Sequence, residues 1–248
     1  MKRRIIGRLD IKKNKLIKGV HLEGLRVVGD PSEFAHKYYS EGIDELLLLD
    51  SVASLHGRNA LSEIIKEITS DIFIPITVGG GINSIEQVKH MFDSGADKIT
   101  INTNAIENPK IISQISSIFG SQALTLSIQI KIIKGEPFVM TFNGRERTNL
   151  NMKKWIMEAE DRGIGELMVT SIDQEGTMNG FDLDLLEYIL EFIKVPIICS
   201  GGIASTMHVK NCFNIGAQAV AIASAFHFSK LTPVKLKQDL KLQGFSLR

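Results

Sequence analysis

The 248-residue sequence lacks the features of a disulfide-stabilised, secreted or membrane-spanning protein. Its two cysteines, Cys199 and Cys212, are too few for a disulfide framework and match no metal-ligand spacing, which fits a reducing compartment. No apolar run reaches the roughly 18 residues of a membrane span. The charged start, MKRRIIGRLDIKKNK, has no apolar segment of the kind that signal peptides carry, so we expect a cytoplasmic protein.

The chain also lacks a large net charge of either sign, because its 29 Lys and Arg residues are balanced by 28 Asp and Glu residues. This balance argues against a nucleic-acid-binding protein. The six histidines are scattered, and we expect neither a metal nor a cofactor. Hydrophobic residues make up 44% of the chain, which is enough for a sizeable buried core.

Two similar glycine loops reveal an internal repeat. Gly80 of TVGGGINS and Gly201 of CSGGIAS lie 121 positions apart (201 − 80), and further blocks align at the same offset without a gap. These blocks are 94–103 with 215–224, and 41–49 with 162–170. The two halves, approximately 1–120 and 121–248, are therefore predicted to be copies of one structural unit.

Short runs rich in Ile, Leu and Val predict eight buried parallel strands, at 5–11, 45–50, 74–78, 98–102, 123–130, 166–172, 195–200 and 219–224. Amphipathic segments with helix-start and helix-stop residues lie between them, at 30–42, 83–95, 108–120 and 151–163. This alternation predicts one α/β domain over 1–248, a (β/α)₈ TIM barrel built from two half-barrels. A doubly wound open sheet is the alternative, and the repeat favours the closed ring.

Two long stretches, 12–29 and 131–148, follow the first strand of each half, on the face where such barrels keep their active sites. The first has no clear strand pattern, and the second predicts a hairpin that turns at Lys134 and Gly135. Loops of this length inside a compact domain are usually functional.

The glycine loops predict two phosphate sites, because each loop opens a helix whose backbone N–H groups can face an anion. A hydroxyl follows one strand later in each half, as Thr103 and as Ser224. Two sites on opposite sides of one barrel mouth suit a substrate with a phosphate at each end. The predicted binding residues here are Gly80, Gly81, Asn102, Thr103, Gly201, Gly202 and Ser224.

A set of motifs resembles the cyclase subunit of imidazole glycerol phosphate synthase over the whole chain. In order they are RRIIGRLD, KGVHLEGLRVVGDP, DELLLLD, IPITVGGGI, GADKITIN, FGSQA, TSIDQEGT, SGGI and FHF. The related isomerase of histidine synthesis shares the repeat and both phosphate sites, but FGSQA, TSIDQEGT and FHF fit the cyclase better.

The resemblance implies a bis-phosphorylated aminoimidazole ribonucleotide as substrate, and imidazole glycerol phosphate and an aminoimidazole carboxamide ribotide as products. It also implies a glutaminase subunit of the HisH type at the N-terminal barrel face, from which ammonia crosses the barrel core. The chain has no Cys–His–Glu nucleophile set of its own, so the ammonia is expected from a partner.

Asp10 ends the first strand at the catalytic face and is the predicted catalytic carboxylate. The family's second catalytic acid ends the fifth strand, where this chain has Gln129, whose amide cannot exchange a proton as an acid does. Arg8, two residues before Asp10, is expected to keep Asp10 ionised. Further predicted substrate-binding residues at this face are Lys18, Asp50, Thr170, Glu175 and Gly176. Lys18 could equally be a solvated lysine, and Glu175 part of a capping turn.

Four charged residues begin strands 1, 2, 4 and 6 at the opposite face, namely Arg4, Glu45, Lys98 and Glu166. They predict a salt-bridge ring, which serves stability in most such barrels. The resemblance implies that this ring is the gate through which ammonia enters, and that Asp97 beside it faces the glutaminase.

Gln129 leaves three hypotheses open. The chain is a histidine-pathway cyclase with an altered acid–base pair. Alternatively, it is a specialised relative that delivers ammonia for the amidation of a nucleotide-linked sugar in surface-polysaccharide synthesis. The third hypothesis is a non-catalytic ammonia-channelling subunit.

Overall fold

The fold is known from a computed structural model, which describes residues 2–51 and 61–248. Twelve strands lie in this part of the chain. They are β1 (Arg4–Lys12), β2 (Lys15–Val20), β3 (Glu23–Gly29), β4 (Glu45–Asp50), β5 (Ile76–Gly79), β6 (Lys98–Ile101), β7 (Leu124–Ile133), β8 (Glu136–Thr141), β9 (Glu146–Arg147), β10 (Glu166–Ser171), β11 (Ile197–Ser200) and β12 (Ala219–Ile222).

Ten α-helices are found in the same residues. They are α1 (Pro31–Ser40), α2 (Leu61–Thr69), α3 (Ile85–Asp93), α4 (Thr103–Glu107), α5 (Lys110–Phe119), α6 (Met152–Asp161), α7 (Leu183–Leu190), α8 (Thr206–Ile215), α9 (Ser224–His227) and α10 (Pro233–Leu242). No helix in the described ranges has the length and apolar character that a membrane crossing requires.

Eight of the strands form a closed parallel ring in the order β1–β4–β5–β6–β7–β10–β11–β12, and β12 pairs with β1. Helices surround the ring, so the predicted (β/α)₈ barrel is confirmed. The predicted strands at 74–78 and 195–200 start too early, because Pro75 and Pro196 have no N–H for a ladder and pairing begins after them.

Equivalent elements of the two halves repeat the sequence offset. β4, β5 and β6 begin at residues 45, 76 and 98, and β10, β11 and β12 begin at 166, 197 and 219, so each pair is 121 residues apart. The helix caps follow the same offset, because the side chains of Ser84 and Ser205 cap α3 and α8. The glycine loops therefore lead into two equivalent helix starts.

Both long stretches form antiparallel hairpins above the barrel mouth. β7 and β8 pair across the turn at Lys134 and Gly135, which confirms that hairpin. The stretch 12–29 also pairs, as β1 with β2 and β2 with β3, so it is more regular than expected. Burial does not alternate along these strands, because Leu16, Ile17 and Lys18 of β2 are all buried while β3 is mostly exposed, so the sequence shows no period of two.

Candidate active site at the carboxyl ends of the barrel strands

The two glycine loops adopt the same backbone conformation. Gly80 and Gly201 have φ angles of 109° and 110°, and Gly81 and Gly202 have φ angles of 66° and 77°, which side chains other than glycine rarely adopt. A Cβ atom on Gly80 would lie 2.3 Å from the carbonyl oxygen of Asp50. Glycine is therefore required in each loop both for its conformation and for close approach to the neighbouring strand.

The first cleft lies at the ends of β4, β5, β6 and β7. It is lined by the predicted residues Asp10, Asp50, Gly80, Gly81, Asn102, Thr103 and Gln129. Further residues that the sequence reasoning missed line it too, among them Thr100, Ser127 and Asn143. The hydroxyl of Thr103 accepts a 3.0 Å hydrogen bond from the backbone N–H of Phe142, which ties the second hairpin to this cleft.

The second cleft occupies the equivalent place in the other half. The predicted residues Glu175, Gly176, Gly201, Gly202 and Ser224 line it, together with Ser200, Ala221 and Ala223. The structure thus places each predicted glycine loop beside its predicted hydroxyl. Thr170 is buried at the end of β10 and lines neither cleft.

A buried cluster of two cations and two carboxylates lies between the clefts. Arg8 donates through Nε to Asp10 Oδ1 at 2.9 Å, and its Nη1 lies 3.6 Å from Glu175 Oε2. Lys18 contacts the same two carboxylates, at 3.5 Å from Asp10 Oδ2 and directly at Glu175 Oε1. Lys18 is only 6% exposed, so it is not a solvated lysine, and Glu175 belongs to an ion cluster rather than to a capping turn alone.

The cluster fixes the ionisation of both carboxyl groups. Burial by itself would raise the pKa of Asp10, but the charges of Arg8 and Lys18 outweigh it and hold that pKa below its usual value. The pKa of Glu175 is lowered in the same way, as Lys18 and Arg8 overcome the effect of burial. Both groups are therefore carboxylates near neutral pH, and neither has a proton to donate.

Gln129 stands at the end of β7, is 9% exposed and faces the first cleft. Its Nε2 donates to Asn143 Oδ1 at 3.3 Å, while its Oε1 has no hydrogen-bond partner. The cleft contains no ionisable group at this position.

A second buried contact that the sequence reasoning missed adjoins the cluster. Tyr38 OH and His227 Nδ1 are 2.6 Å apart. Burial, and next the charge of Lys18, lower the pKa of His227 to about 4, so this imidazole is neutral at physiological pH. The FHF motif was the available signal for His227, and nothing in the sequence pointed to Tyr38.

The four predicted gate residues form a ring at the opposite end of the barrel. Arg4 bonds to Glu45 at 3.0 Å and also to Glu166, while Lys98 bonds to Glu166 at 2.8 Å and lies 3.8 Å from Glu45. A fifth member, Arg248, was missed and lies 3.0 Å from Glu45. Burial would raise the pKa of Glu166, but Arg4 and Lys98 outweigh it and lower that pKa.

Asp97 is exposed beside this ring. Its Oδ2 accepts a 2.8 Å hydrogen bond from the backbone N–H of Ile76, and the equivalent residue of the other half, Gln218, accepts from Ile197 at 2.7 Å. Asp97 therefore holds the start of a strand, in addition to any role in docking. Across the described ranges, no group of three or more His, Cys, Asp or Glu side chains is arranged to hold a metal ion.

Comparisons with known proteins agree with this architecture. The family profile described as "Histidine biosynthesis protein" matches residues 4–232. Imidazole glycerol phosphate synthase subunit HisF of Legionella pneumophila is 54% identical over 200 residues, covering 80% of this chain and 94% of that protein. HisF of Thermotoga sp. (strain RQ2) is 42% identical over 247 residues, covering 99% of this chain and 97% of that protein. HisF of Thermococcus onnurineus (strain NA1) is 41% identical, with 99% and 98% covered. The chain belongs to the histidine biosynthesis protein family, among the relatives of the HisF cyclase subunits.

Proposed function

We propose that the chain is the ammonia-accepting synthase subunit of a glutamine amidotransferase. A glutaminase of the HisH type would dock on the face that carries the charged ring, and a phosphorylated acceptor would bind at the glycine clefts. The observation that carries the proposal is the position of the two features. The ring surrounds one end of the barrel lumen, and the clefts and Asp10 surround the other end.

The ring residues would control entry into the lumen. Glu45 and Glu166 each contact both Arg4 and Lys98, so the ring is held by ion pairs rather than by covalent or apolar contacts. Arg4, Glu45 and Glu166 are buried, whereas Lys98 is partly exposed, so its ion pairs are the ones that can rearrange at little cost in stability. A docked glutaminase could therefore open the ring without breaking the barrel.

The chemistry at the mouth favours weak catalysis of the family reaction. Ring closure to imidazole glycerol phosphate needs proton transfers on both sides of the substrate, and a positioned acid or base typically contributes about 10²–10⁴-fold. Asp10 is held as a carboxylate by Arg8 and Lys18, and Gln129 supplies no proton. The site therefore has the predicted binding residues and one base, Asp10, but no acid at position 129.

The second candidate function is delivery of ammonia for amidation of a nucleotide-linked sugar in surface-polysaccharide synthesis. Gln129 and the fixed ionisation of Asp10 favour it, because ammonia delivery needs a lumen and an acceptor site but no ring-closing acid–base pair. If a separate amidotransferase catalyses the reaction of ammonia with the acceptor, the chain is a non-catalytic channelling subunit.

The docking test uses the complex with a HisH-type glutaminase and compares glutamine with ammonium salt as the nitrogen source. We expect Asp97→Asn to lower glutamine-dependent product formation and to leave ammonium-dependent formation unchanged. The variant removes a charge yet keeps an oxygen that can accept from Ile76. Asp184→Asn, an exposed acid at the other end of the barrel, is the matched control. Equal losses with both nitrogen sources would assign Asp97 to folding and remove it from the docking face.

A further inference from the structure

The second hairpin carries an aromatic ring and two cations on its inner face. In antiparallel strands, residues directly opposite each other point to the same side of the sheet. The register pairs Gln129 with Met140 and Lys131 with Phe138 between β7 and β8, and it pairs Met140 with Arg147 between β8 and β9. Because Gln129 lines the first cleft, these five side chains lie on the hairpin face that is turned towards the barrel mouth.

The two faces of this hairpin have different surroundings. On the outer face, Val139 is fully buried in the main hydrophobic core. On the inner face, the partly buried ring of Phe138 packs against a small apolar cluster at the mouth, formed by Leu22, Met140 and Ile172. The position of the Phe138 ring is therefore fixed by contacts at the mouth, among them a residue of the first hairpin.

Arg147 lies flat on this ring. Its Cζ atom is 3.5 Å from the centroid of the Phe138 ring, a distance at which an edge-on guanidinium would push a nitrogen into the ring. Arg147 is exposed, so the other face of its guanidinium plane is open to solvent. An arginine held flat in this way can stack a second planar group on its free side.

Both cations of this face are available to an anionic ligand. In the part of the chain that the structure describes, the ion pairs are made by cations other than Lys131 and Arg147. An acid on the same face, Glu136, lies at the hairpin tip opposite Ile133 and away from the stack. A planar ring that carries a phosphate therefore fits both the free guanidinium face and the unpaired charges.

The stack is close enough to the first cleft for one ligand to contact both. Gln129, Met140 and Arg147 form one row across three neighbouring strands, so the backbones of Gln129 and Arg147 are about 10 Å apart at about 4.8 Å per strand. Asn143, in the turn between β8 and β9, lines the cleft and accepts a 3.3 Å hydrogen bond from Gln129. A sugar that joins a phosphate to a ring can span such a distance.

We propose that Arg147, supported by Phe138, stacks the heterocyclic ring of a nucleotide whose phosphate binds in the first cleft. This inference rests on the proposed function, because it takes binding of a phosphorylated acceptor at the glycine clefts as given. The ring is the base of a nucleotide-linked sugar or the aminoimidazole of the family substrate. Both are planar heterocycles on a phosphorylated sugar, and the experiment compares them.

The test is a set of calorimetric titrations of the purified chain with three probes. Uridine monophosphate carries a pyrimidine base, aminoimidazole carboxamide ribotide carries the imidazole, and ribose phosphate has no ring. Stacking of a base on such a platform typically changes the affinity by about 5- to 150-fold. We expect a nucleotide to bind more tightly than ribose phosphate by a factor in this range, and the ring with the larger gain identifies the acceptor class.

Arg147→Lys is the decisive variant, because it keeps the charge and removes the planar group. We expect it to reduce the affinity for the nucleotide to that for ribose phosphate, and to leave the affinity for ribose phosphate unchanged. Phe138→Leu removes the ring that supports the guanidinium and should also weaken nucleotide binding. Arg145→Lys alters an exposed residue of the same turn that is outside the stack, so it is the matched control and should change neither affinity.

Equal affinities for all three probes, or a nucleotide affinity that survives Arg147→Lys, would overturn the proposal. An equal loss for ribose phosphate in Arg147→Lys would overturn it too, because Arg147 would then bind charge rather than a ring. Absence of binding by every probe would have the same consequence. The titrations contain no glutaminase, and the coupling experiment does not depend on residue 147, so either can fail while the other holds.

Discussion

Replacing Gln129 by Asp tests whether a missing acid limits the family reaction. Gln129 is buried, and the side chain that it contacts, Asn143, is neutral. A carboxyl group at this position would therefore have its pKa raised by burial. It would therefore hold a proton near neutral pH, unlike Asp10 and Glu175. A general acid of this kind contributes about 10²–10⁴-fold. We expect Gln129→Asp to raise kcat of the cyclase reaction by up to that factor.

The assay measures imidazole glycerol phosphate formed from the bis-phosphorylated ribonucleotide at saturating ammonium salt. Saturation ensures that a change in the affinity for ammonia does not limit the rate. Gln129→Asn is the matched control, because it has the length of Asp but remains an amide. We expect Gln129→Asn to be no faster than the unmodified protein.

Glu175 provides the result that would refute this reasoning. Its lowered pKa makes it a poor general acid, since it is ionised and paired with Lys18 and Arg8. An unmodified protein that turns over at an ordinary enzymatic rate, is unaffected by Gln129→Asp and loses activity in Glu175→Gln would show that Glu175 is the second acid. The weak-cyclase hypothesis would then be wrong.

Three further predictions concern the clefts and the ion cluster. Crystals grown in phosphate should show an anion beside each glycine loop, and Thr103→Val or Ser224→Ala should lower the occupancy only in its own cleft. Arg8→Met should lower the free energy of unfolding by about 3–5 kcal/mol in denaturant titrations, because it leaves two buried carboxylates with one cation. The charge-balanced double variant Arg8→Met/Glu175→Gln should lose less stability. Additive losses from the two substitutions would show that Arg8 and Glu175 do not interact. Both cluster carboxyl groups have a lowered pKa, so their stabilisation is present above about pH 5 and is lost as the pH falls, and the balanced variant should lose less stability on acidification.

The barrel could be predicted because its signals are local and repeated. Most of the buried strands are short apolar runs with Gly, Pro or Asp at one end, and the 121-residue offset gives each match a second, independent occurrence. The pairing of Arg8 with Asp10 also followed from local geometry, since residues two apart on a strand face the same side. The β2–β3 hairpin was not predicted, because the burial of its residues is set by contacts at the barrel mouth and does not alternate along the strands.

The missed site residues are those whose role depends on distant partners. Arg248 lies outside the repeat and reaches Glu45 across 203 positions of sequence. Tyr38 meets His227 across 189 positions, and the burial of Lys18 depends on Glu175 across 157. No periodicity or spacing reports such contacts, which arise only when the ring closes and brings the ends of β1, β10 and β12 together.

The two halves have equivalent strands and helices, but they differ in the side chains at equivalent positions. On β6 and just after it, residues 98, 100 and 102 are Lys, Thr and Asn, while the equivalent residues 219, 221 and 223 in the other half are all alanine. The alanines leave volume beside β12, and Arg8 uses it, because its Nη1 donates to Ser200 Oγ on β11 at 2.9 Å, past β12. The space beside β12 is thus filled by the guanidinium of Arg8, whereas the equivalent positions on and after β6 carry polar side chains of their own.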